Sequence, residues 1–84
     1  MEYLLFSHRT FEVILEFNEL NEYLISASNT TGVNFRRIKI EPIYNNKNRV
    51  TLFFHDEPEA TTYMNELFQQ IPFENIDFTS YPSL

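Results

Sequence analysis

The chain has 84 residues, 43% apolar and 17% aromatic, with 12 acids against 6 bases for a net charge of −6 and no cysteine. One small domain follows, burying about 60–65% of the surface its unfolded form exposes. Disulfides, thiolate metal sites and cysteine nucleophiles are excluded, and a single glycine, Gly32, excludes the glycine-rich loops that cradle phosphates. No apolar run is long enough to span a bilayer. Met1–Phe6 carries Glu2 and a short apolar run rather than a signal peptide. The expected setting is cytoplasmic and reducing, with no membrane partner.

Glu2–Phe6 is a short strand candidate, and Ser7-His8-Arg9-Thr10 reads as a turn. Phe11, Val13, Leu15 and Phe17 then alternate with Glu12 and Glu16, the period of a half-buried strand. Asn18 suits the N-cap of a helix over Glu19–Ser28, with Leu20, Tyr23, Leu24 and Ala27 as its inner stripe. Gly32 or Asn29 can end it in a left-handed conformation.

Val33–Ile40 is a strand whose alternation changes phase, which a bulge at Arg36-Arg37 would reconcile. Pro42 keeps this strand from a central position. Asn45-Asn46-Lys47-Asn48 is a turn signal, and Val50–His55 returns as the second arm of a hairpin. Asp56-Glu57-Pro58-Glu59 combines an N-cap acid, an early proline and a glutamate three residues on. Ala60, Met64, Leu67 and Ile71 form the stripe behind it, widened by Tyr63 and Phe68. Pro72 stops that helix, and Ile76–Tyr81 is a final strand.

The predicted class is α+β: an antiparallel sheet of four or five strands with two helices on one face. The order is that of the ferredoxin-like split βαβ with an extra N-terminal hairpin arm. A single domain covers residues 1–84.

Charge is segregated along this chain. Arg36, Arg37, Lys39, Lys47 and Arg49 stand against the single acid Glu41 in one stretch, whereas Val50–Leu84 holds six acids and no Lys or Arg. On the predicted helices, Glu19 and Glu22 share one outer face and Glu59 and Glu66 another, without a basic residue at i,i+4. One reading is a solvated face kept soluble by negative charge. The other is a surface aimed at a basic partner.

The leading expectation is a small acidic, non-enzymatic protein-binding module using Glu19, Glu22, Glu59 and Glu66. It would act as an inhibitor of a nucleic-acid-binding host or defence protein, or as a toxin-neutralising immunity protein. The short, Asn- and Phe-rich, Gly-poor composition suits a phage or mobile element. The alternative is a nucleic-acid-binding or regulatory module using Arg36, Arg37, Lys39, Lys47 and Arg49, with Tyr44, Phe53 or Phe54 to stack on bases. Overall acidity weighs against it, as does pairing of the basic cluster with acids of the same chain.

His8 and His55 are the two histidines. A nuclease using His8, His55 and Arg9, or a metal bound at His55-Asp56-Glu57, has thin support, because Asp56 and Glu57 are already accounted for as a helix start. No catalytic residue, metal or cofactor is expected. Opposite charges on one chain make a self-complementary homodimer a further expectation.

Overall fold

A computed structural model describes residues 7–44 and 47–77. Three strands, β1 (Ser7–Ile14), β2 (Arg37–Tyr44) and β3 (Lys47–Phe54), and two helices, α1 (Phe17–Thr31) and α2 (Glu57–Gln70), follow in the order β1-α1-β2-β3-α2, and a 3-10 turn covers Phe73–Asn75. The sheet order is β1-β3-β2, with β3 antiparallel to both neighbours. Strands β1 and β2 are therefore parallel to each other, and α1 is the crossover between them. This is the split βαβ unit of the ferredoxin-like order.

The sheet has three strands among the described residues, not four or five. The predicted final strand survives as one antiparallel bridge, Val13 to Ile76, with the Asp77 N–H donating to the Glu12 carbonyl. The rest of Ile76–Tyr81 lies outside the described residues, as does Glu2–Phe6. The predicted turn at Ser7–Thr10 is instead the first half of β1, paired with Thr51 to Phe54. These polar residues belong in a strand because partners lie across the sheet. The Thr10 and Thr51 hydroxyls meet at 3.1 Å, and Ser7 and Arg9 both reach Glu57.

Strand pairing fixes which side chains share a face. Phe11 lies opposite Val50 and Ile38 opposite Leu52. This face carries the buried Phe11, Val13, Val50, Leu52 and Phe54, against which the helices place Leu20, Leu24, Ala27, Ala60, Tyr63, Met64 and Leu67. Both predicted helical stripes are thus the inner ones. Helix α2 begins as expected: Asp56 is its N-cap, Oδ1 accepts from the Glu59 N–H at 3.0 Å, and Pro58 stands in the first turn. Helix α1 ends at Gly32, which takes φ 77° and donates its N–H to the Ser28 carbonyl.

Three local expectations are corrected. Helix α1 starts two residues before the predicted Glu19, with Glu16 at the N-cap and no side-chain cap from Asn18. Phe17, expected to face inward from a strand, opens that helix and is 59% exposed. The register irregularity in β2 falls between Pro42 and Tyr44 rather than at Arg36-Arg37. Val33 and Phe35 precede the strand and pack against the core from the loop, so the apparent phase change is a change from loop to strand. The proline, with no N–H to give the ladder, sits beside the real irregularity.

Candidate functional site

The charged residues divide by layer. On the sheet face away from the helices, β3 places Lys47 and Arg49 beside Glu12 of β1 and Glu41 of β2. Arg49 Nε donates to Glu12 Oε2 at 3.0 Å, and its Nη1 lies 3.8 Å from Glu41 Oε1. Lys47 Nζ is 3.2 Å from Glu12 Oε1 and also donates to Asp77. Lys39 lies 3.3 Å from Glu41. Glu12 is buried, at 6% exposure, which a carboxylate tolerates only with such partners. The hydrogen bond to Asp77, seconded by Glu12, holds the Lys47 ammonium above the usual lysine range.

Arg37 is spent differently. Its guanidinium sits 5.3 Å from the Phe53 ring centroid, and the His8 ring lies 5.8 Å from the same ring. Arg9, on the helix-facing side of β1, bridges to Glu57 at the start of α2. That contact, with a further hydrogen bond from Ser7, holds the Glu57 carboxyl below its ordinary range. Three of the five residues in the predicted basic patch, Lys39, Lys47 and Arg49, are therefore neutralised by the chain's own acids.

The helix layer is the opposite case. Neither α1 nor α2 contains a Lys or Arg. Among the described residues, no Lys, Arg or His nitrogen lies within 4.0 Å of a carboxylate of Glu16, Glu19, Glu22, Glu59, Glu66 or Glu74. Glu19 and Glu22 are exposed. Glu59 and Glu66 are half-buried, and Glu66 accepts from Gln70 Nε2 at 2.9 Å.

The four predicted acids do not converge. Because β1 and β3 are antiparallel, α1 leaves the sheet at the end marked by the Ile14–Lys47 pair and α2 at the end marked by Ser7–Phe54. Glu19 and Glu22 occupy the first end and Glu59 the second. Glu66 belongs to the half of α2 that runs back toward the first. Asn75 joins the turn after α2 to that same end, donating from Nδ2 to the Ile14 carbonyl at 2.8 Å. Glu74 is thereby added to it. No feature of the sequence alone places Glu74 at the end of the sheet where α1 begins, since that depends on the chain's return after α2.

Ligand atoms of His55, Asp56 and Glu59 lie within 4.8 Å of one another, so Glu59 replaces the Glu57 of the predicted trio. Asp56 already caps α2 through Oδ1, with Oδ2 3.5 Å from His55 Nδ1. The helix start accounts for this cluster. A groove of about 250 Å³ on the outer flank of α1 is floored by Leu24 and Phe35 and rimmed by Asn21, Ser28, Asn29 and Asn34, with no charged group in its lining. No helix among the described residues is long and apolar enough to cross a membrane. No protein-family model, curated protein or solved structure matches this chain.

Proposed function

We propose that this chain is a non-enzymatic protein-binding module whose acidic helix layer docks on a basic surface of another protein. One observation carries the reading: the carboxylates of Glu19, Glu22, Glu59 and Glu66 have no cation in reach among the described residues, Glu57 alone on the two helices being paired, with Arg9, whereas the sheet's cations are largely consumed by Glu12, Glu41 and Asp77. Unpaired like charges on neighbouring helices cost stability, and a basic partner relieves that cost. Such fields speed encounter and exclude acidic competitors. A basic partner with this character is a protein whose ordinary ligand is a phosphate polymer, which makes inhibition of a nucleic-acid-binding host, defence or toxin protein the role that fits best.

Capture from a host lysate at about 150 mM salt, where the screening length is about 8 Å, tests this directly. A basic protein should be retained by the wild-type chain and lost with Glu19→Lys/Glu22→Lys. Retention of the same protein by that variant and by Glu59→Lys/Glu66→Lys would overturn the reading.

A second reading has one supporting observation, the stacking of Arg37 and His8 on Phe53 across the open sheet face. Aromatic rings with adjacent guanidinium groups are platforms for single-stranded nucleic acid. In that case a gel shift at low salt should weaken steeply with added salt and vanish with Arg36→Glu/Arg37→Glu. A flat titration into the micromolar range ends it.

A further inference from the structure

Strand β2 forms one edge of the sheet, with β3 as its one strand neighbour among the described residues, whereas the opposite edge, β1, is met by Ile76 and Asp77. It is also the strand the core covers least. Strands β1 and β3 bury apolar residues completely, but no residue of β2 is buried: Ile40 is half-buried and Ile38 is 39% exposed. Pairing with β3 sets the alternation along this edge. Ile38 and Ile40 stand opposite Leu52 and Val50 on the helix-facing side, and Lys39 and Glu41 stand opposite Thr51 and Arg49 on the other. A sheet edge flanked by apolar side chains is a template for another strand.

The order of charges along β2 matches a second copy of the same strand. Two copies that pair antiparallel about a two-fold axis perpendicular to the sheet keep their faces, so one residue lies opposite itself and the others reflect about it. A centre at Ile38 sets Arg37 against Lys39 twice. A centre at Lys39 brings the two lysines together, and a centre at Glu41 the two glutamates. A centre at Ile40 avoids all of these: it sets Lys39 opposite Glu41 twice, Ile38 opposite Pro42 twice, and Ile40 opposite itself. We infer that the chain forms a homodimer through β2 in this register. Lys39 and Glu41 of one chain already lie 3.3 Å apart, with side chains 64% and 40% exposed, so the dimer joins two such pairs into one alternating ladder. An edge lysine ordinarily blocks strand pairing; here it meets a carboxylate of the second copy. Pro42, with no N–H, and the irregularity after it end the paired stretch. The two three-stranded sheets join in the order β1-β3-β2-β2-β3-β1, with the helices of both copies on one face. The inference goes beyond the acidic-face reading and does not depend on it, since it uses no helix residue.

The test is sedimentation equilibrium of the full chain over a range of concentrations, at low salt and at about 150 mM salt. The wild type should be a reversible dimer that weakens as salt is added. Lys39→Glu and Glu41→Lys each set like charges together twice and should raise the dissociation constant about tenfold or more. Both positions are exposed, so unchanged circular dichroism should confirm that the variants fold. The double variant Lys39→Glu/Glu41→Lys restores opposite charges at the same sites and should recover the wild-type constant. An equimolar mixture of the two single variants should recover it as well. The chain has no cysteine, so Ile40→Cys reports the centre: mild oxidation should link it into a covalent dimer. Ile38→Cys should stay unlinked, because its counterpart lies four residues along the second strand, about 13 Å away.

A wild-type chain that stays monomeric at high concentration and low salt overturns the inference. So does a dimer that tolerates both single variants, or one that the double variant fails to restore, since the contact then lies elsewhere. Cross-linking through Ile38→Cys rather than Ile40→Cys overturns the register. None of these results bears on the acidic-face reading, and its variant Glu19→Lys/Glu22→Lys should leave the dimer intact.

Discussion

The Tyr63 hydroxyl of α2 donates to the Leu24 carbonyl of α1 at 2.9 Å, a buried hydrogen bond that pins the two helices at their midpoints. Phe35 and Phe54 pack on the same ring, at centroid distances of 5.9 and 5.2 Å. Tyr63→Phe keeps the packing and removes the bond, so it should cost about 1 kcal/mol and lower Tm by roughly 4–8 °C. Thermal melts followed by circular dichroism measure this.

Burial pushes the Tyr63 phenol up to about 12. A raised pKa in the folded state means that the unfolded chain loses this proton first, near pH 10. Stability from this group is complete below pH 10 and declines as pH rises toward 12. Urea melts of the wild type and Tyr63→Phe at pH 8 and at pH 11 should show the larger alkaline loss in the wild type.

Glu12 is the hub of the open sheet face, buried between Lys47 and Arg49. Glu12→Ala should cost about 2 kcal/mol, because two cations lose a hydrogen-bonded carboxylate inside a partly dry network. Glu12 and Lys47 are shielded from solvent but Arg49 is exposed, so added salt should reduce this cost only in part. Urea denaturation at low and high salt checks both statements.

Gly32 ends α1 at φ 77° with nothing within 4 Å of where a Cβ would stand. Gly32→Ala therefore meets no clash, only the strain of an L-residue in the left-handed region, which is about 1 kcal/mol. Chemical denaturation should show that loss with an unchanged m-value.

Much of the fold is legible in local signals. The Asp56 cap, Pro58 and the stripe from Ala60 to Ile71 specify α2 within sixteen residues, and the expected hairpin arm Val50–His55 coincides with β3 as far as Phe54, although Lys47 and Asn48, expected in the turn, already belong to that strand, and Asn45 and Asn46 lie outside the described residues. Ser7–Thr10 was not legible, because a polar stretch reads as a turn until Thr51 and Glu57 supply partners from more than forty residues away. Glu12 looked like an outward-facing acid and is buried instead, since its ion pairs come from β3. Phe17 followed the strand alternation in sequence, yet the chain turns into helix two residues earlier than Asn18 suggested and leaves the ring in solvent. The candidate site divides the same way. The acidic helix faces are visible as an absence of Lys and Arg, whereas the return of Asn75 and Ile76 to the end of β1 depends on tertiary structure.

Charge reversal on the helices should leave the fold intact. Glu19→Lys/Glu22→Lys removes a favourable dipole contact in the first turn of α1, worth about 0.3–1 kcal/mol, and disturbs no ion pair among the described residues. A folded variant with near-wild-type Tm is expected, so any loss of binding in it reports on the surface.

The decisive comparison sets two charge-reversed variants side by side against whatever protein the wild-type chain captures: Glu19→Lys/Glu22→Lys on the helix layer and Arg37→Glu/Lys39→Glu on the sheet. Binding lost only in the helix variant is the predicted result. Binding lost only in the sheet variant would contradict the assignment of the helix layer as the interaction surface.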